Sequence, residues 1–108
     1  MIFLLFACSN NVETHEDFST VYSQSQCRAY KQCNRSLFDG EYGTMSECEE
    51  EVQESFWAEN NSLYEGCTYN SDKAKECITV INQSNCGELW TNSEQIYESC
   101  HTDVWICS

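Results

Sequence analysis

Nine cysteines in a chain of 108 residues constrain this protein more than any other feature of its sequence. Cys8 stands apart near the N-terminus, and eight others are spread through the rest of the chain: Cys27, Cys33, Cys48, Cys67, Cys77, Cys86, Cys100 and Cys107. The even set of eight predicts four disulfides, a density typical of proteins that fold in an oxidising compartment. Leu, Ile and Val are scarce, so we expect one small domain whose thin core needs covalent bracing.

The ninth cysteine, Cys8, follows an apolar N-terminal stretch, MIFLLFA. The segment Leu5-Phe6-Ala7-Cys8 resembles a bacterial lipobox, with an aliphatic residue at −3, a small residue at −1 and the cysteine that becomes acylated. The resemblance implies that a lipid such as palmitate on Cys8 anchors the protein to a membrane. The apolar run is short and no basic residue precedes Arg28, so we expect Met1 to lie inside a longer signal. An ordinary secretion signal is the alternative.

These features divide the chain into three predicted parts. Residues 1–7 belong to the signal, residues 8–18 form the lipidated cysteine and a polar tether, and residues 19–108 form the cysteine-rich domain. The tether has no apolar period and contains His15, Glu16 and Asp17 in a row. That trio could bind a cation loosely, but a solvated linker is the favoured interpretation.

The domain is predicted to be mainly α, a disulfide-braced bundle of three to four helices. Apolar residues at spacings of three and four predict helices over Ser19–Ser36, from Thr44 onward and over Ser62–Asn82. Thr44 and Glu47 fit a capping box. Asp39-Gly40 is expected to form a turn, residues 82–92 a loop, and residues 93–99 one or two further helical turns. A fresh helix capped at Ser71 or Asp72 is an alternative within the third segment.

Charge is distributed unevenly along the chain. The net charge is −13, which disfavours binding to nucleic acid because phosphate backbones are repelled. Arg28, Lys31 and Arg35 share one face of the first helix, and the second helix is rich in glutamate. We therefore expect these two helices to lie side by side, with weak surface ion pairs between them.

Helix geometry restricts the disulfides. Two cysteines six or ten positions apart on one helix are too distant to be bridged, so Cys27 should not pair with Cys33, nor Cys67 with Cys77. The bridges must join different elements. Cys77 with Cys86 and Cys100 with Cys107 are plausible short closures, and the other connectivities stay open.

No motif in the chain indicates catalysis, a metal or another cofactor. There is no C-x-x-C pair, no paired cysteine spacing of a zinc site, and no nucleophile, phosphate-loop or calcium-loop motif. His101 lies in Cys100-His101-Thr102-Asp103, which makes a small hydrolase a third alternative, but a structural or surface role for His101 is favoured.

The layout resembles small cysteine-rich predicted lipoproteins of Gram-negative bacteria, particularly the myxobacterial type. The resemblance is carried by Leu5 to Cys8, by Cys27-x-x-Tyr30-x-x-Cys33 and by Tyr42-Gly43 ahead of Cys48. It implies a lipid-anchored protein of the cell envelope and says little about function. Our interpretation of the sequence is a structural or binding module without catalysis, whose partner is undefined. Ser9 at +2 favours the outer membrane. The alternative is a freely secreted effector, which in a eukaryote could be glycosylated at the N-x-S sequons of Asn34, Asn60 and Asn82.

Overall fold

A computed structural model describes residues 11–107 and confirms a mainly α domain braced by four disulfides. Its elements are α1 (His15–Cys33), α2 (Arg35–Glu41), α3 (Met45–Leu63), β1 (Thr68–Tyr69), α4 (Ser71–Gln83), α5 (Cys86–Thr91), α6 (Ser93–Tyr97), a π-helical turn (Glu98–Thr102) and β2 (Trp105–Ile106). The described residues thus form six α-helices rather than three or four, because segments expected to be turn or loop are helical.

Helix α1 begins at His15, inside the segment predicted to be a solvated tether. The Thr14 side chain caps the helix by accepting a hydrogen bond from the Asp17 amide at 3.1 Å. Val12 and Phe18 are only 2% and 0% exposed, so the tether prediction is wrong for residues 12–18. Two apolar residues six positions apart produce no recognisable period, yet both pack in the core.

The stretch around Asp39-Gly40 is also helical, contrary to the predicted turn. Helix α2 places Phe38 in the core at 1% exposure, while Arg35 and Asp39 form an exposed ion pair of 3.3 Å one helical turn apart. Burial of Phe38 outweighs the poor helix propensity of a single glycine.

Helix α3 starts as expected, with the Thr44 hydroxyl accepting from the Glu47 amide at 3.2 Å. It continues to Leu63, which includes the first two residues of the segment predicted as a third helix, Ser62–Asn82. The rest of that segment is not one continuous helix. Gly66 adopts a left-handed φ of 87°, β1 follows, and α4 begins at Ser71 with Asn70 as its cap. The start at Ser71 agrees with the alternative of a fresh helix, although the capping residue is Asn70.

Beyond α4, the predicted loop over residues 82–92 contains α5. Asn85 and Glu88 form a reciprocal capping box at its start, with both hydrogen bonds at 2.8 Å. The further turns predicted over residues 93–99 are present as α6 and the π-helical turn. Strands β1 and β2 pair antiparallel, with Tyr69 opposite Trp105.

The disulfides join distant segments, and both suggested short closures are wrong. The bridges are Cys27–Cys48, Cys33–Cys86, Cys67–Cys107 and Cys77–Cys100. Cys86 opens α5 and reaches back to the end of α1, whereas Cys100 packs on α4. Neither excluded bridge forms. The helical reason is confirmed for Cys27 and Cys33, which share α1, but it is wrong for Cys67, which lies outside any helix.

Two clusters of buried side chains form the core of residues 11–107. The larger joins α1, α3, α4 and the C-terminal segment and has ten buried members: Val12, Phe18, Val21, Phe56, Ala74, Cys77, Ile78, Ile81, Cys100 and Val104. The smaller contains Cys27, Phe38 and Cys48 and fastens α2 to α1 and α3.

Helices α1 and α3 lie side by side, as expected, but the predicted ion pairs between them do not form within residues 11–107. Gln53 instead donates a hydrogen bond to the Thr20 hydroxyl at 2.8 Å. Arg28 reaches Asn82, and Lys31 lies over the Phe38 ring. Among the helices of the described region, none has the length and apolar character needed to cross a membrane.

Candidate functional site

The predicted site residues fall into two groups. Cys8, the predicted lipidation site, lies outside the described residues, together with Leu5, Phe6 and Ala7. The other eight cysteines are all consumed in disulfides. Within residues 11–107, no three His, Cys, Asp or Glu side chains are grouped so that they could hold a metal ion.

His101 lies on the π-helical turn and is held by aromatic side chains. Its ring stacks on Tyr97 with centroids 4.3 Å apart, and its Nε2 lies 3.4 Å from the Tyr22 hydroxyl. Its Nδ1 lies 3.7 Å from a carboxylate oxygen of Glu59. Burial lowers the pKa of His101, and the Glu59 charge offsets part of this effect. The neutral form of the His101 ring is therefore favoured at neutral pH. The ring lies between two surface depressions and lines both of them.

The first depression, here called the aromatic groove, has a volume of about 490 Å³. It runs between α1 and the pair α5–α6, and its principal side chains are Tyr22, Tyr30, Leu89, Trp90, Ile96 and Tyr97. Trp90 is 84% exposed and Tyr97 is 52% exposed. A tryptophan so open to solvent contributes little to folding, whereas such side chains commonly anchor a partner.

The second depression, here called the acidic pocket, has a volume of about 370 Å³. It is lined by Glu41, Glu51 and Glu59 with Tyr42, Phe56 and others, and it shares Tyr22 and His101 with the aromatic groove. Burial and the neighbouring Glu51 raise the pKa of Tyr42 to about 12. The Tyr30 hydroxyl, at the border of the two depressions, donates to Glu41 at 2.9 Å.

The walls of the aromatic groove are fixed covalently. Cys33 at the end of α1 and Cys86 at the start of α5 both line it, and their disulfide joins the two walls. The Asn85 capping box positions the start of α5, the short helix that carries Leu89 and Trp90. The groove is therefore held open by the same bracing that stabilises the domain.

His15 occupies a different place, inside a cage of aromatic rings. Its ring centroid lies 4.8–6.0 Å from those of five neighbours: Phe18, Phe56, Trp57, Tyr69 and Trp105. Neither ring nitrogen has a hydrogen-bond partner. Burial, aided by His101, lowers the pKa of His15 to about 4. The alternative of a cation site formed with Glu16 and Asp17 does not hold, because the His15 ring is enclosed in the core.

The sequence pattern does not predict that Trp90 and Tyr97 are central to a groove. They lie in the segment expected to be loop or isolated turns. The signal that could have found them is Asn85-x-x-Glu88, a capping signature just before Leu89 and Trp90.

Comparison of the chain with protein-family models, with curated proteins and with solved structures finds no match. The fold and the groove together define a disulfide-braced helical domain with an open aromatic surface, and its function is argued from that geometry.

Proposed function

We propose that this protein is a lipid-anchored, extracytoplasmic binding module that carries out no catalysis and engages its partner through the aromatic groove. The observation that carries the proposal is Trp90, whose side chain is 84% exposed on a groove braced by the Cys33–Cys86 disulfide. Pre-formed apolar surfaces of this kind bind without the entropic cost of ordering a loop.

The groups around His101 favour binding over hydrolysis. Burial, together with the charge of Glu59, raises the pKa of Tyr22 to about 12, so its hydroxyl stays protonated and is a poor nucleophile. Tyr97 covers one face of the imidazole. These contacts suit a fixed aromatic wall better than a group that must exchange protons with a substrate.

Location outside the cytoplasm is supported by the disulfides, and lipidation by the sequence around Cys8. Four bridges use all the cysteines of residues 19–108, so Cys8 is the one cysteine that the bracing does not require. The segment Leu5-Phe6-Ala7-Cys8 has the lipobox pattern, and Ser9 after it favours the outer membrane.

A freely secreted protein is the second candidate, and the structure limits which of its three sequons could carry a glycan. Asn60 is 1% exposed, and its side chain accepts a hydrogen bond from the Trp105 indole at 3.0 Å. A glycan on Asn60 is therefore incompatible with this fold. Only the sequons at Asn34 and Asn82 are exposed.

The location is tested by the intact mass of the protein from its native host, before and after reduction and alkylation. We expect acyl chains on Cys8 and eight alkylated cysteines that appear only after reduction. A Cys8→Ser variant should lose the acyl mass and leave the membrane fraction. An unacylated mature protein, or one cleaved after Cys8, would refute the anchor and favour secretion.

The binding role is tested by photo-crosslinking in the host. A benzophenone amino acid at Trp90 should give a discrete adduct, whereas the same probe at Leu63, an exposed apolar residue outside the groove, should give none. Identical adduct patterns from the two positions, or no adduct from either, would count against a binding groove.

A further inference from the structure

The aromatic groove and the acidic pocket adjoin each other and together present two chemistries. Tyr22 and His101 line both. On one side of this pair the surface is apolar and ends at Trp90; on the other it carries the carboxylates of Glu41, Glu51 and Glu59. A ligand that fills both halves needs an apolar part next to a cationic part.

We propose that this surface binds a basic, apolar segment of a partner polypeptide, with apolar side chains against Trp90 and lysine or arginine side chains in the acidic pocket. The proposal rests on the binding role proposed above and adds the chemistry of the partner.

Within the described part of the chain, the carboxylates of the acidic pocket have no cationic partner. Among residues 11–107, no lysine or arginine forms an ion pair with Glu41, Glu51 or Glu59. Glu59 lies 3.7 Å from Nδ1 of His101, but burial lowers the pKa of that imidazole and disfavours its cationic form. The net charge of −13 adds to the negative potential, which would steer a basic partner toward the surface.

The aromatic half is also suited to cations and apolar groups together. Tyrosine and tryptophan faces attract lysine and arginine heads, while their area is buried by the aliphatic part of the same side chain. Tyr22, Tyr30, Trp90 and Tyr97 all line this half.

The shape of the surface favours a polypeptide over a small molecule. Small-molecule sites enclose most of the ligand. Here Trp90 is 84% exposed and Tyr97 52% exposed, so the groove between α1 and the pair α5–α6 leaves these side chains open to solvent and would not enclose a small ligand. Such grooves accept the apolar face of an amphipathic helix, which places its side chains at intervals along the groove.

The test uses the full-length, oxidised protein and three designed amphipathic peptides that share one pattern of leucines. Their polar positions carry lysine, glutamine or glutamate, and binding is followed by the anisotropy of a labelled peptide. We expect the leucine–lysine peptide to bind at least about tenfold more tightly than the glutamine peptide, and the glutamate peptide not to bind.

Two pairs of variants locate the contacts. Trp90→Ala should weaken binding of the leucine–lysine peptide about tenfold, whereas Leu63→Ala should not change it. Combining Glu41→Gln with Glu51→Gln should weaken binding about fivefold to tenfold. Combining Glu65→Gln with Glu76→Gln removes the same net charge elsewhere and should change the affinity less than twofold.

The outcomes separate the two proposals. If the glutamine peptide binds as tightly as the lysine peptide and both depend on Trp90, the groove is a binding site but the basic partner is wrong. If neither peptide binds, the binding role itself fails. The inference is overturned if Trp90→Ala binds the lysine peptide as tightly as the original chain does and the two glutamine double variants bind it equally. The attraction would then come from the net charge of the protein and not from this surface.

Discussion

His15 should make the folded protein lose stability in mild acid. Its pKa is lowered to about 4 in the folded state from an ordinary value of 6.5, because the ring is enclosed by aromatic side chains and has no hydrogen-bond partner. Between these two values the unfolded chain binds a proton that the folded protein does not. The free energy of unfolding is therefore highest at or above neutral pH and falls as the pH drops below 6.5.

The size of the effect follows from the two pKa values. At pH 5 the unfolded state is almost fully protonated at this position and the folded state is not, which corresponds to a loss of about 2 kcal/mol relative to pH 7. For a domain of this size, that loss lowers the midpoint of thermal unfolding by roughly 10 °C. The pKa of His101 is also lowered by burial, so it contributes in the same direction.

The assay is denaturant or thermal unfolding of the oxidised protein at pH 7 and pH 5, above the range in which most carboxylates protonate. His15→Phe keeps a ring in the cage, removes two unpartnered nitrogens and cannot titrate. At pH 7 we expect its free energy of unfolding to lie within about 1 kcal/mol of that of the original chain, because loss of the unpartnered nitrogens offsets the cost of the larger ring. Most of the pH dependence should disappear. His101→Gln should retain the larger part of it. An unchanged dependence in His15→Phe would refute the reasoning.

Two further predictions concern the Cys33–Cys86 disulfide and the buried side chain of Asn60. Replacing Cys33 and Cys86 together by alanine removes a bridge across 53 residues, so it should lower the free energy of unfolding by about 4 kcal/mol and weaken binding in the groove. Guanidinium unfolding measures the first effect and peptide titration the second, and an unaltered midpoint would contradict this role of the bridge. Asn60→Ala leaves the Trp105 indole without its acceptor and should cost about 2 kcal/mol, with a change in tryptophan emission. Asn61→Ala, at an exposed neighbour, is the control, and equal costs for the two variants would argue against the buried hydrogen bond.

The features predicted correctly from the sequence depend on local chemistry. The helical class follows from apolar residues spaced three and four positions apart. The start of α3 follows from the Thr44 hydroxyl, which caps the helix by accepting from the Glu47 amide three residues away. The predictions fail where contacts between residues far apart in the sequence determine the local structure. Gly40 lies within a helix because Phe38 is buried between α1 and α3, and Cys86 pairs with Cys33 because α5 folds back onto α1.

The candidate site was beyond sequence reasoning for the same reason. Tyr22 and His101 are 79 residues apart in the chain and meet only in the folded protein. Neither belongs to a motif, and the exposed Trp90 follows no period. Local patterns identify which residues could be buried, but a surface assembled from five helices and a π-helical turn requires the tertiary arrangement.

Burial of Val12 has a consequence for the geometry of the protein at a membrane. Only Ser9, Asn10 and Asn11 separate it from Cys8, and a fully extended chain spans about 14 Å between the two Cα atoms. An acyl group on Cys8 would therefore hold this acidic domain almost against the headgroups, because the segment between them is too short to act as a flexible linker. The negative potentials of the domain and of an anionic leaflet would then overlap within one or two Debye lengths, and the thin layer of solution between them would enrich polycations.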